Sequence, residues 1–151
     1  MFQTRVLSDL SQKKIKKILD QIGCDEKGIE IMAPKADHFL VHAKGLDPRA
    51  ANIVKQEFLS SGGEAAVSWS SLDLSTQKSE IVMMGTLAQY QKVEEKLKEQ
   101  PFDLPRLAEE IENVIGSDSS FNSLPWDGES CQIMGILNVT PDSFYDGGDS
   151  P

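Results

Sequence analysis

The residue types best suited to chemistry stand together near residue 140. Gln132-Ile133-Met134-Gly135-Ile136-Leu137 is a short, almost continuous apolar run. It opens into Asn138-Val139-Thr140-Pro141-Asp142-Ser143-Phe144-Tyr145-Asp146-Gly147-Gly148. A run of this length and composition suits a strand buried on both faces of a parallel sheet. Gly135 inside it marks a place where another backbone or a ligand comes close. Asn138 falls where the strand should end, and its amide can offer oxygen to a cation or hydrogen bonds to a ligand. Thr140-Pro141-Asp142-Ser143 is turn chemistry, and Gly147-Gly148 gives the loop freedom to hinge. An apolar strand feeding a loop of amide, hydroxyl, carboxylate and aromatic groups is how barrel enzymes place catalytic residues at strand ends.

The string from Ile136 to Phe144, continued by Asp146-Gly147-Gly148, resembles the first signature of dihydropteroate synthase. That family joins dihydropterin-hydroxymethyl pyrophosphate to p-aminobenzoate on a (β/α)8 barrel, and the signature is its first strand and first loop. The resemblance implies Asn138 as a contact to Mg²⁺ and to the pyrophosphate. It implies catalytic roles for Thr140, Asp142, Ser143 and Phe144, and substrate contacts for Pro141 and Gly147. Tyr145 stands where many members carry a small polar residue. Such a barrel takes about 250 residues, so residues 131–151 would be only its beginning. The chain then reads as the amino-terminal part of a synthase, inactive alone, with a long extension before the barrel. Two other readings stay open: a stand-alone docking or oligomerisation module, and a fragment of a pterin-binding methyltransferase. The Thr-Pro-Asp-Ser-Phe loop favours the synthase over the methyltransferase.

Charge is distributed in keeping with an unfinished site. The 151 residues carry 24 acids and 15 bases, a net charge of −9. Every Lys and Arg lies between Arg5 and Arg106, and residues 116–151 hold acids only. A pyrophosphate calls for cationic or dense N–H partners, so the remaining phosphate ligands are expected downstream. The acidic balance excludes the basic patch that nucleic acid would select. No run approaches the ~18 apolar residues of a membrane span. The start has no signal-peptide anatomy. Cys24 and Cys131 lie far apart and without metal-ligand spacing, so reduced cytoplasmic thiols are expected. A homodimer is compatible with this reading.

The elements before the signature predict a small α/β layered domain over 1–115, a linker over 116–130, and the first strand of an incomplete barrel over 131–151. Ser11 to Ile22 reads as a helix with Ile15, Ile18, Leu19 and Ile22 on one stripe and Gly23 as its stop. Ile29–Ala33 and His38–Ala43 read as strands. Asp47-Pro48 opens a helix that runs through Val54 and Phe58 to Gly62-Gly63. Glu64–Trp69 and Glu80–Met84 read as strands joined by a Ser-rich connection. Thr86 caps a helix, and Asp103 caps another with Leu104, Leu107, Ala108, Ile111, Val114 and Ile115 on its apolar face. Three or four strands with flanking helices result, and the segment from His38 to Gln100 fits a split βαβ arrangement. The linker is polar except for Phe121, Leu124 and Trp126, which could dock on a neighbour. A lone strand from a parallel barrel lacks partners for its backbone, so 131–151 is not expected to order by itself.

Other residues invite a functional reading and have plainer ones. His38 and His42 could share a metal, but no third ligand is evident. Lys35, between Pro34 and Ala36, could be a recognition lysine on a loop after a strand, though a solvated surface lysine is the plainer reading. Gly62-Gly63 is better explained as a helix stop than as a phosphate cradle. Gly85-Thr86, at a strand-to-helix junction, is the better anion candidate.

Overall fold

The computed structural model describes residues 2–7 and 10–121. Six helices and three strands follow in the order α1 (Gln12–Gln21), α2 (Glu26–Met32), β1 (His38–Leu46), α3 (Pro48–Ser60), β2 (Glu64–Val67), α4 (Trp69–Leu72), β3 (Ser79–Thr86), α5 (Leu87–Leu97) and α6 (Leu104–Phe121). The sheet order is β1-β3-β2, and both neighbours of β3 run antiparallel to it. β1 and β2 are therefore mutually parallel, joined by α3, with β3 inserted between them. This is the split βαβ arrangement, made of three strands.

Strand alternation decides which face is covered. Val41, Met83 and Ala65 align across the three strands, as do Ala43, Ile81 and Val67. These residues pack into or against the core with Val54, Phe58, Tyr90, Val93, Leu97, Leu104 and Ile111 from the helices. Burying each large apolar side chain contributes about 1.5–3 kcal/mol. Tyr90 stands at the centre: its ring meets Phe58 edge-on at 4.9 Å and Phe39 at 6.3 Å. Its hydroxyl donates to the Met83 carbonyl at 2.8 Å. The residues of opposite parity (His38, Leu40, His42 and Lys44 on β1, Glu80, Val82 and Met84 on β3, Glu64 and Ala66 on β2) are exposed or half-buried.

Local chemistry sets most boundaries. Ser11 caps α1 through its hydroxyl, and Asp47 caps α3 by accepting from Arg49 N–H at 2.8 Å. α3 ends in a Schellman turn, with Gly62 N–H to Leu59 C=O at 3.1 Å and Gly63 N–H to Phe58 C=O at 2.9 Å. Gly62 has φ of +82°, a conformation that costs a side-chain-bearing residue. At Gly63 a Cβ would lie 3.0 Å from Phe58 Cδ1 and 3.1 Å from the Met84 carbonyl oxygen, so glycine lets β2 start against the helix it follows.

Five expectations are corrected. Ile29–Ala33 is not a strand but the end of α2 and a 3-10 turn, Ala33–Lys35. Asp25 starts that helix by accepting from Gly28 N–H at 2.9 Å, and the helix leads Ala33 into full burial. The strand read as Glu64–Trp69 ends at Val67. Ser68 bonds the Ser70 and Ser71 hydroxyls at 2.9 and 2.8 Å, and Asn52 Nδ2 donates to Ser71 C=O at 2.8 Å, which turns the chain into α4. Asp103 precedes α6 with φ of +64°, away from the extended backbone of a side-chain cap, and its carboxylate lies 3.9 Å from Arg106. On α1 only Ile15 is buried, and Ile22 is 71% exposed. α6 continues through Gly116 to Phe121, into the stretch read as linker.

Candidate functional site

Asn138, Thr140, Pro141, Asp142, Ser143, Phe144 and Gly147 all lie outside the described residues, as do the strand expected over 132–137 and residues 122–130 of the expected linker. The candidates within the described domain can be placed. His38 and His42 lie on the same, open face of β1, as alternation requires. His42 Nε2 is 2.9 Å from Glu80 Oε2, an exposed pair on facing strands. Among the described residues no group of three His, Cys, Asp or Glu side chains could hold a metal ion. Lys35 is exposed at the end of the 3-10 turn.

The junction at Gly85-Thr86 is not an open anion site. Thr86 and Gln89 form a capping box, and Gln89 Oε1 accepts from Thr86 N–H at 2.7 Å. The chain's own side chains thus occupy the N–H groups that an anion would need. Gly85 leaves room for this: a Cβ there would meet Gln89 Oε1 at 3.0 Å. Gly62-Gly63 is the helix stop described above.

Among the described residues one groove, of about 610 Å³, forms where the end of β1, the entry to β3 and the starts of α3 and α6 converge. Lys44, Lys78 and Arg106 line it together with Asp47, Asp103 and Glu110, over a floor that includes Leu46, Ala50 and Leu107. Most of its charges answer one another. Arg106 Nε is 3.1 Å from Glu110 Oε1, and Arg49 NH2 is 2.7 Å from Asp47 Oδ2. The hydrogen bonds from Arg49 hold the Asp47 carboxyl down at about 2. The Arg49 guanidinium also lies 4.4 Å above the Phe102 ring, which lines the same groove. Charge paired in this way suits a structural surface better than a catalytic one. The sequence reading missed this groove because four separate segments build it and none carries a motif.

Polar groups also sit in the core. Tyr90 is fully buried, and its phenol is pushed well above the usual range, chiefly by burial. Glu94 is 8% exposed. Its carboxyl is raised by burial and by the nearby Glu112 charge, with Lys98 partly offsetting both. The Ser71 and Ser79 hydroxyls bond each other where α4 meets β3. Among the described residues no helix is long and apolar enough to cross a membrane.

No family model matches the chain, and no solved structure matches it. Curated proteins do. Over 127 residues the chain is 39% identical to a probable bifunctional folylpolyglutamate synthase/dihydropteroate synthase of Halobacterium salinarum, covering 81% of this chain and 15% of that protein. A protein of the same description from Haloferax volcanii is 31% identical over 134 residues, 78% of this chain and 16% of that one. The bifunctional dihydropteroate synthase/dihydropteroate reductase of Helicobacter pylori is 28% identical over 141 residues, 93% of this chain and 35% of that protein. The chain thus spans between about one-seventh and one-third of the length of these relatives. Matches of this extent cannot come from the signature region alone and must include much of the α/β domain. By sequence, the chain is homologous to a segment of bifunctional proteins named for dihydropteroate synthase, as the signature at 136–148 implied.

Proposed function

We propose that this chain is the amino-terminal part of a dihydropteroate synthase. In this reading the extension domain runs to the end of α6 at Phe121, a short linker follows it, and 131–151 form the first strand and first loop of a pterin-binding (β/α)8 barrel. The carrying observation is that relatives named for dihydropteroate synthase match 78–93% of this chain. The parent enzyme would condense dihydropterin-hydroxymethyl pyrophosphate with p-aminobenzoate, in solution in the cytoplasm. A homodimer is compatible with it.

The chain's own residues fit that chemistry in type. Asn138 offers an amide oxygen, a hard donor of the kind that Mg²⁺ takes. When bound, Mg²⁺ would offset charge on the pyrophosphate as it leaves. Thr140, Pro141, Asp142, Ser143 and Phe144, with Gly147 as hinge, would close over the substrates and exclude water from the reacting carbon before the aromatic amine attacks. A chain that ends its basic residues at Arg106 would draw the other phosphate ligands from sequence beyond 151.

The test is the intact mass and activity of the native protein from its source cell. Peptides continuing past Pro151, with dihydropteroate formed from the two substrates and lost in Asn138→Ala, are the expected result. A native mass of 16.6 kDa without synthase activity would instead support a stand-alone docking module. Isolated 1–151 is expected to show no turnover.

A further inference from the structure

We propose that the outer edge of β1 pairs with a second copy of this chain, the two β1 strands running antiparallel about a two-fold axis at Leu40. The inference concerns assembly of the α/β domain and does not depend on the reaction assigned to the parent protein.

The two edges of the sheet are built differently. β3 lies between β1 and β2, so each outer strand turns one row of N–H and C=O groups away from the sheet. β2 is blunted as edge strands usually are: it is four residues long and opens on the exposed Glu64. β1 runs nine residues, His38–Leu46, and among the described residues it pairs with β3 alone. Its guards stand at the far end, where the register shifts between Lys44 and Leu46 and Gly45 has φ of +83°. From His38 to Ala43 there is no proline, no acid and no register shift. An edge left long and apolar is a template for another strand.

The hydrophobic layer is also unfinished on this side. Ile81 and Met83 of β3 are fully buried, and Ala65 on the other edge strand is 2% exposed. Phe39, Val41 and Ala43 of β1 pack against the same core yet stay half-buried. Leu40, on the opposite face, is 69% exposed. A neighbouring strand covers both sets at once, whereas a group docked on either face covers only one.

Self-complementarity selects the occupant. Antiparallel pairing of a strand with its own copy obeys a two-fold axis, the commonest symmetry of protein assemblies. An axis at Leu40 sets this residue against Leu40 of the second copy on the open face. It sets Phe39 against Val41 of the second copy, twice, on the core side. The apolar side chains that each copy leaves uncovered therefore meet one another. Charge permits the contact. Copies with a net charge of −9 repel through most of their surface. β1 carries no acid. Glu80 beside it is held by His42 at 2.9 Å and approached by Lys44 at 3.9 Å. Five paired residues span about 17 Å and bury less than the roughly 800 Å² per partner of a standard interface. The dimer is therefore reversible and forms in the micromolar range.

Sedimentation equilibrium of the 151-residue chain tests this, with a reversible dimer expected. Leu40→Glu and Leu40→Lys each set like charges face to face across the axis. Each should raise the dissociation constant about tenfold, with circular dichroism unchanged because Leu40 is exposed. Mixing the two variants should restore a dimer of unlike copies, which a general loss of fold would not allow. Hydrogen exchange gives a readout without substitution: outward β1 amides should exchange freely in dilute chain and slowly in concentrated chain. A wild-type chain that stays monomeric throughout the micromolar range would overturn the proposal. Slow β1 exchange in that monomer would assign the edge to a strand of the same chain instead. A dimer that survives both substitutions would also overturn it, as would a mixture that fails to reassociate.

Discussion

Tyr90→Phe isolates one atom at the centre of the domain. The side chain is fully buried between Phe39 and Phe58, and only its hydroxyl is polar, donating to the Met83 carbonyl at 2.8 Å. Removing the hydroxyl leaves the aromatic packing in place and deletes one buried hydrogen bond. The bond itself contributes about 0.5–1.5 kcal/mol, and a carbonyl left short of a partner in the core adds to the loss. A destabilisation of about 1.5–2 kcal/mol follows, a large share of the 5–15 kcal/mol of a typical domain. Urea unfolding followed by far-ultraviolet circular dichroism should show the midpoint falling by about 1 M with an unchanged slope. Alkaline pH supplies an independent reading. Burial raises the phenol's pKa from its ordinary 10.0 in the folded chain. Above that pH the unfolded chain releases a proton that the folded chain keeps, so stability falls as pH rises, by up to about 1.4 kcal/mol per pH unit. The phenylalanine variant loses this component. Phenolate absorbance should also separate Tyr90 from Tyr145, the chain's other tyrosine. Unchanged stability in Y90F, together with both tyrosines titrating near 10 in the folded chain, would refute the argument.

Glu94→Gln should raise the melting temperature at pH 7, because burial, then Glu112, disfavours the carboxylate in the folded state. A raised native pKa means stability falls as pH climbs above the ordinary 4.5, so the advantage of the variant should vanish below that pH in parallel melts. Gly63→Ala drives a methyl against Phe58 and the Met84 carbonyl oxygen. A cost of about 1–3 kcal/mol is expected from forced overpacking, read as a lower urea midpoint; a neutral result would mean β2 can shift freely from α3.

The limits of α3 and the start of α5 are written locally, which is why they were legible. Asp47-Pro48 supplies a capping carboxylate and a preset φ, Gly62-Gly63 supplies the left-handed stop, and Thr86 with Gln89 closes a capping box. The signature at 136–148 was legible for a related reason: its residues are contiguous, so the string is readable without a fold. Ile29–Ala33 was not legible, since a short apolar run serves a strand or a helix equally until a neighbour decides. Asp25 and the burial of Ala33 against the body of the domain decide it.

The amino-acid sequence by itself determined the acidic balance, the caps of α3 and α5, and the resemblance to dihydropteroate synthases. Those follow from composition and from contacts a few residues apart. Tertiary structure decided what depends on distant pairs. It inserted β3 between β1 and β2, so that Leu40, Val82, Met84 and Ala66 share one open face. It closed Glu94 into the α5–α6 contact and assembled the groove from four segments. Strand order and helix placement are settled by which surfaces bury the most apolar area together, and no local pattern records that choice.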